Sequence, residues 1–238
     1  MRLSLIALIF AIAPSLMAAE PATSLLADFK LVFEETFSDE ASVGKLQFSD
    51  PQAWRWSKEG KEGGALELYK QSKYETKYRS PFNIGLVSQL QVSDFVLEVD
   101  VLQTGKEYGH RDMCLFFGFV SPTEYYYSHL ATKPDANAHN VFLVNNAARQ
   151  SFLKVPKQGI DWGSDWKHLR LERSGRAIRV FFENMEEPIL AGENDQFLTG
   201  GVGLGSFDDT GKIDNLRVWA KSAERYPAPW FAASQPSK

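Results

Sequence analysis

Cysteine is nearly missing from this chain: Cys114 is the only one in 238 residues. A single thiol closes no internal disulfide, so a disulfide-stapled scaffold is excluded and an apolar core must hold the fold. Set in "RDMCLFFGFV", Cys114 reads as a small core residue rather than a reactive thiol. Basic charge is also short. The 26 Lys and Arg stand against 30 Asp and Glu, a formal net charge of −4. That excludes the broad positive field of a nucleic-acid binder and leaves any anionic ligand to a local basic patch. After the N-terminus no run is apolar enough to predict a membrane span. Capped helical periodicity, internal repeats and an interior linker are missing as well.

Aromatic residues are plentiful, 13% of the chain with six Trp, eight Tyr and 17 Phe. They suit strands and flat binding surfaces. The opening "MRLSLIALIFAIAPSLMAAEPA" has Arg2, an apolar run from Leu3 to about Ala13, a break at Pro14 and small residues at Ala18 and Ala19. This layout predicts a secretory signal peptide over 1–19, hence a secreted or periplasmic protein with no membrane span in the mature chain. Residues 20–30 read as a leader, 31–220 as one domain, and 221–238 as a tail whose Trp230 and Phe231 clip onto the body.

The body alternates apolar and polar residues with period two. Predicted strands are "LVFEETF", "GALELYK", "SDFVLEVDVLQ", "DMCLFFGFV", "EYYYSHLA", "HNVFLVNN", "KHLRLERS", "AIRVFFEN", "GGVGLGSF" and "KIDNLRVWA". In "SDFVLEVDV", Phe95, Leu97, Val99 and Val101 oppose Glu98 and Asp100. Ser174-Gly175 marks a hairpin turn. Short strands at this spacing predict an all-β, antiparallel two-sheet sandwich or closed barrel.

The order of features resembles bacterial secreted domains of the concanavalin A-like lectin/glucanase superfamily. It is closest to the laminin-G-like and 3-keto-disaccharide-hydrolase-type jelly rolls. The residues carrying this are "FEETF", "SDFVLEVDV", "DWKHLRLERSGRAIRVFFEN" and "GGVGLGSFDDTGKIDNLRVW". The resemblance implies a jelly roll with one concave sheet, and glycan binding or glycan cleavage as common uses. It does not choose between them.

Within "EYYYSHLA", alternation puts Tyr125, Tyr127 and His129 on one face. Rings with polar tips suit a sugar's CH patches and hydroxyls; the alternative is a half-buried strand using Tyr for its propensity. Arg111, His139, Asn145 and Arg149 complete a candidate carbohydrate-binding set. Two enzymes could use the same face. A lyase would take Tyr127 or His129 as base, with an Arg or Asn neutralising a carboxylate. A glycoside hydrolase would use Asp112 with a second acid. An envelope module that binds another protein is a further alternative. The stretch Glu98 to Gln103 resembles the E-x-D-x-x-E signature of retaining jelly-roll glucanases, but Gln103 cannot donate the proton. Related jelly rolls bring their end strands together around Ca²⁺, and the resemblance implies Glu35 and Asp214 as ligands, with Asp209 as a contributor.

Overall fold

The computed structural model describes residues 27–156, 158–226 and 229–231. The predicted signal peptide and residues 20–26 of the leader lie outside the described residues, as do 227–228 and 232–238 of the tail. The strands are β1 (Lys30–Glu35), β2 (Leu46–Phe48), β3 (Trp54–Ser57), β4 (Ala65–Leu68), β5 (Asn83–Val87), β6 (Leu90–Val92), β7 (Phe95–Gln103), β8 (Asp112–Ser121), β9 (Glu124–Ala131), β10 (Asn140–Asn145), β11 (Gln150–Ser151), β12 (Lys167–Ser174), β13 (Ala177–Phe182), β14 (Leu190–Glu193), β15 (Gly201–Ser206), β16 (Gly211–Ala220) and β17 (Ala223–Arg225). Among the described residues no helix is long and apolar enough to cross a membrane.

Two large antiparallel sheets result. The first runs β14-β13-β12-β7-β16-β4-β3, with β1 also on β16; the second runs β11-β10-β9-β8-β15-β5-β2. A small ribbon pairs β17 with β6. The fold is one of the two that the alternation predicts, the β-sandwich, in the jelly-roll form that the resemblance implies. Leu97, Val99, Leu171, Val180 and Val218 of the first sheet pack against Leu115, Phe117, Tyr126, Val141 and Leu204 of the second. Burial of these side chains, worth about 1.5–3 kcal/mol each, is what closes the sandwich.

The second sheet has another apolar face, turned away from that core. Phe116, Tyr127 and Phe142 lie in register across β8, β9 and β10, one ring beside the next. The Tyr127 and Phe142 rings stack with centroids 5.2 Å apart. A bulge in β8 adds to this face. Gly118 takes φ +53, a left-handed value that a Cβ would strain. Phe117 therefore points into the main core while both Phe116 and Phe119 point outward.

These outward rings are covered. Trp230 packs edge-on to Phe119, with centroids 5.8 Å apart, and Phe231 does the same at 5.7 Å. Trp230 is anchored twice: its indole N–H donates to the Val87 carbonyl at 3.1 Å and its backbone N–H to Gln47 Oε1 at 2.7 Å. A Cβ on Gly201 would come within 2.8 Å of the Trp230 ring, so glycine there makes room for the cover. Tyr74 reaches Phe231 from another side. The result is a second, smaller core.

Candidate functional site

One end of this aromatic face stays open. A pocket of about 90 Å³ is lined by Arg79, Tyr108, His110, His129, Asn137, Arg149, Phe207 and Asp208. His129, from the end of β9, forms its inner wall and is 3% exposed. Its Nδ1 accepts the His139 backbone N–H at 3.3 Å, which leaves the ring proton on Nε2. His139 adopts φ +52, and its own Nδ1 accepts the Ala131 N–H. Burial holds His129 down to about 3 and His139 to about 4, so both rings are neutral at physiological pH.

Behind His129 lies Asp112, with no exposed surface. Its Oδ2 stands 3.6 Å from His129 Nε2 and accepts bonds from the Phe207 N–H at 3.0 Å and the Cys114 thiol at 3.1 Å. Its Oδ1 accepts the Ser206 hydroxyl at 3.0 Å. Burial pushes this carboxyl up to about 8, and nearby Asp209 adds to the rise. Asp209 accepts the Asp112 N–H at 2.8 Å and the Tyr108 hydroxyl at 2.9 Å, and burial raises it as well. The Cys114 thiol is buried and pushed well up, which is the core role expected of it.

On the outer wall, Arg149 donates from Nη1 to the Tyr127 hydroxyl at 3.1 Å and from Nη2 to the Asn137 carbonyl at 3.0 Å. Its guanidinium lies 4.4 Å from the centre of the Phe207 ring, and that of Arg79 lies 5.5 Å away. Tyr108, 43% exposed, also donates toward Asp208. His110 pairs with Asp135 at 2.6 Å.

The predicted residues divide. His129 and Arg149 line the pocket. Tyr127 shares the face, but its ring is fully buried and only its hydroxyl, through Arg149, touches the site. Tyr125 is fully buried under the aromatic cover. The open hollow of hydroxyl-tipped rings expected for Tyr125 and Tyr127 is thus corrected: both rings are core, because the tail and distant loops cap them. His139 braces His129 from behind. Arg111 turns away, donating to Gln103 Oε1 at 2.6 Å and the Gln103 carbonyl at 2.9 Å. Asn145, paired with Glu124, falls one step out of phase with Val144 and Tyr125 and points off the face. Glu98 and Asp100 lie on the outward face of the first sheet, bonded to Arg170 and to His168, Asn215 and Lys61. Burial pushes Asp100 up, but those hydrogen bonds outweigh it and hold the carboxyl near 2.

The donors proposed for Ca²⁺ do not fit an ion. Glu35 accepts the Phe37 N–H and pairs with Lys45. Asp214 accepts the backbone N–H groups of Lys61, Glu62 and Asn215. Asp209 sits instead with Asp112 and Asp208, one oxygen of each within 4.8 Å of the others. Both oxygens of Asp112 and Oδ2 of Asp209 already take protein hydrogen bonds.

Sequence reasoning missed Arg79, Tyr108, Asn137 and Phe207. Each sits in a loop or turn, where alternation carries no signal. The turn "FDDTG" was visible as acidic, but its contact with Tyr108 spans 101 residues of sequence.

No protein-family model matches the chain, and no curated protein matches it. Solved structures do. A carbohydrate-binding module, CBM66 from Bacillus subtilis, aligns with TM-score 0.51 and 20% identity over 72% of this chain and 93% of its own. A protein of unknown function with a galectin-like fold, also from Bacillus subtilis, aligns with TM-score 0.51 and 9% identity over 83% of this chain and 100% of its own. The GH43 protein BlXynB from Bacillus licheniformis aligns with TM-score 0.50 and 11% identity over 81% of this chain, but only 39% of that longer protein. None of them singles out the laminin-G-like type. At these identities the likeness is one of fold: the chain is a jelly-roll β-sandwich.

Proposed function

We propose that this is an exported protein, secreted or periplasmic, that binds carbohydrate in the pocket at the end of the second sheet. The observation that carries the reading is the pocket itself. Around one small opening it gathers a half-exposed Tyr108, the Phe207 ring, the Asn137 amide, the Asp208 carboxylate and two guanidiniums. Rings to meet CH faces and fixed polar groups to meet hydroxyls are what a sugar requires. The opening is small, with room for part of one sugar unit at a chain end rather than a run of units along a groove. The fold likeness to a carbohydrate-binding module supports the same reading.

The geometry favours binding over cleavage. The Tyr127 ring and Asp112 are fully buried, so neither reaches a glycosidic bond as base or acid. His129 is a weak base while burial holds it so low. A protein partner at this face has no surface feature of its own in favour. A glycan array tests the proposal, run beside assays for new reducing ends and for the absorbance of unsaturated uronates. Binding without new ends is expected, and chelation should leave it unchanged because Glu35 and Asp214 are committed to protein donors. Absence of binding across a broad set of glycans would overturn the reading.

A further inference from the structure

Arg79 and Arg149 are held as a pair. The Arg149 backbone N–H donates to the Arg79 carbonyl at 3.2 Å, and both guanidiniums lean on Phe207. Neither has an acidic partner among the described residues. Arg149 spends its N–H groups on two neutral oxygens, and Arg79 makes no side-chain hydrogen bond there. Asp208 shares the pocket, yet its carboxylate turns to Tyr108. Most of the other described arginines, Arg55, Arg111, Arg170, Arg176, Arg179 and Arg217, each stand beside a carboxylate. Arg173 and Arg225 donate to neutral oxygens instead, but neither lines the pocket.

Two like charges that line one pocket and rest on one aromatic ring are stabilised further by an anion that enters the pocket. Guanidinium forks match planar or tetrahedral oxyanions. The neighbouring Tyr108, Asn137 and Asp208 oxygens suit the hydroxyls of a ring rather than a bare ion.

We infer that the pocket takes an acidic sugar, whose carboxylate or sulfate ester engages Arg79 and Arg149 while its hydroxyls meet Tyr108, Asn137 and Asp208. This rests on the carbohydrate-binding reading and names its substrate class. The test compares matched probes by calorimetry: oligogalacturonate against its methyl ester, and sulfated dextran oligosaccharides against unmodified dextran oligosaccharides, with a neutral glycan array alongside. At least one acidic probe should bind tenfold or more tighter than its neutral match, with the gap shrinking as salt is raised. Which pair shows the gap separates carboxylate from sulfate. Arg79→Gln should abolish the gap with little change in melting temperature, since beyond its contact with the Phe207 ring that side chain makes no hydrogen bond or ion pair among the described residues. Neutral probes binding as well as acidic ones, or a gap that survives Arg79→Gln, would overturn the inference and leave the broader reading standing. No binding to any sugar, acidic or neutral, would overturn both.

Discussion

On the first sheet the outward residues of β7 and β12 are Glu98, Asp100, His168, Arg170 and Glu172; on the second sheet the outward residues of β8, β9 and β10 are Phe116, Tyr125, Tyr127 and Phe142. The same alternation makes both faces. The first carries a ladder of ion pairs, Glu98–Arg170 and Glu172–Arg179 among them, whose side chains are largely shielded from solvent. The second cannot be left wet, so the C-terminal strap and the loops carrying Tyr74 and Phe207 cover it. A covering assembled from separate segments leaves a gap where they fail to meet, and the pocket lies at such a gap. The pocket arises from incomplete burial of an apolar face, whereas the charged face neutralises itself pairwise.

The sharpest way to break this comparison is to remove the cover. Trp230→Ala should destabilise the protein by about 3–5 kcal/mol, as truncation of a buried ring does, measured by equilibrium denaturation. A loss well under 1 kcal/mol would mean that the strap is an ornament and the aromatic face stands alone.

Next comes pH, which acts on buried groups at the covered end. Unfolded histidines take protons near pH 6.5, while folded His129 and His139 refuse them until about 3 and 4. Stability should therefore fall as pH drops below 6.5, by up to about 1.4 kcal/mol per unit for each ring. Asp112 works the other way: the folded state keeps its proton to about 8, whereas the unfolded chain releases it near 3.8. Its contribution is lost as pH rises through that window. The thermal midpoint should peak near pH 6.5, with His129→Gln flattening the acid limb and Asp112→Asn the alkaline one. A flat profile in both variants and the parent would contradict the burial of these groups.

The smallest effect belongs to the charged face. Glu34→Gln removes the partner of Arg217 in a pair where both side chains are at least a third exposed. It should cost roughly 0.2–1 kcal/mol, and high salt should erase even that.

Much of the fold was legible. The ten predicted strands all exist, and "EYYYSHLA" and "KHLRLERS" coincide with β9 and β12 to the residue. The strands without a sequence signal are short, or, like β5 "NIGLV", buried along their whole length, so that no alternation marks them. The site was half legible. Period two correctly put Tyr125, Tyr127 and His129 together, but it could not tell an open face from a capped one. That choice was made by Trp230, Phe231, Tyr74 and Phe207, whose approach depends on long-range packing. Asp112 illustrates the same gap: at a strand start beside His110 and Arg111 it reads as a surface acid, yet Ser206 and Phe207 from another strand's end bury it completely.

The central claim, that sugar enters at the gap in the cover, is tested most directly by amide chemical-shift mapping with the oligosaccharide that the array ranks first. Perturbations should gather on Tyr108, His110, Asn137, Arg149 and Asp208, with Glu98, Asp100, His168 and Arg170 unmoved. Shifts confined to that charged face would contradict it.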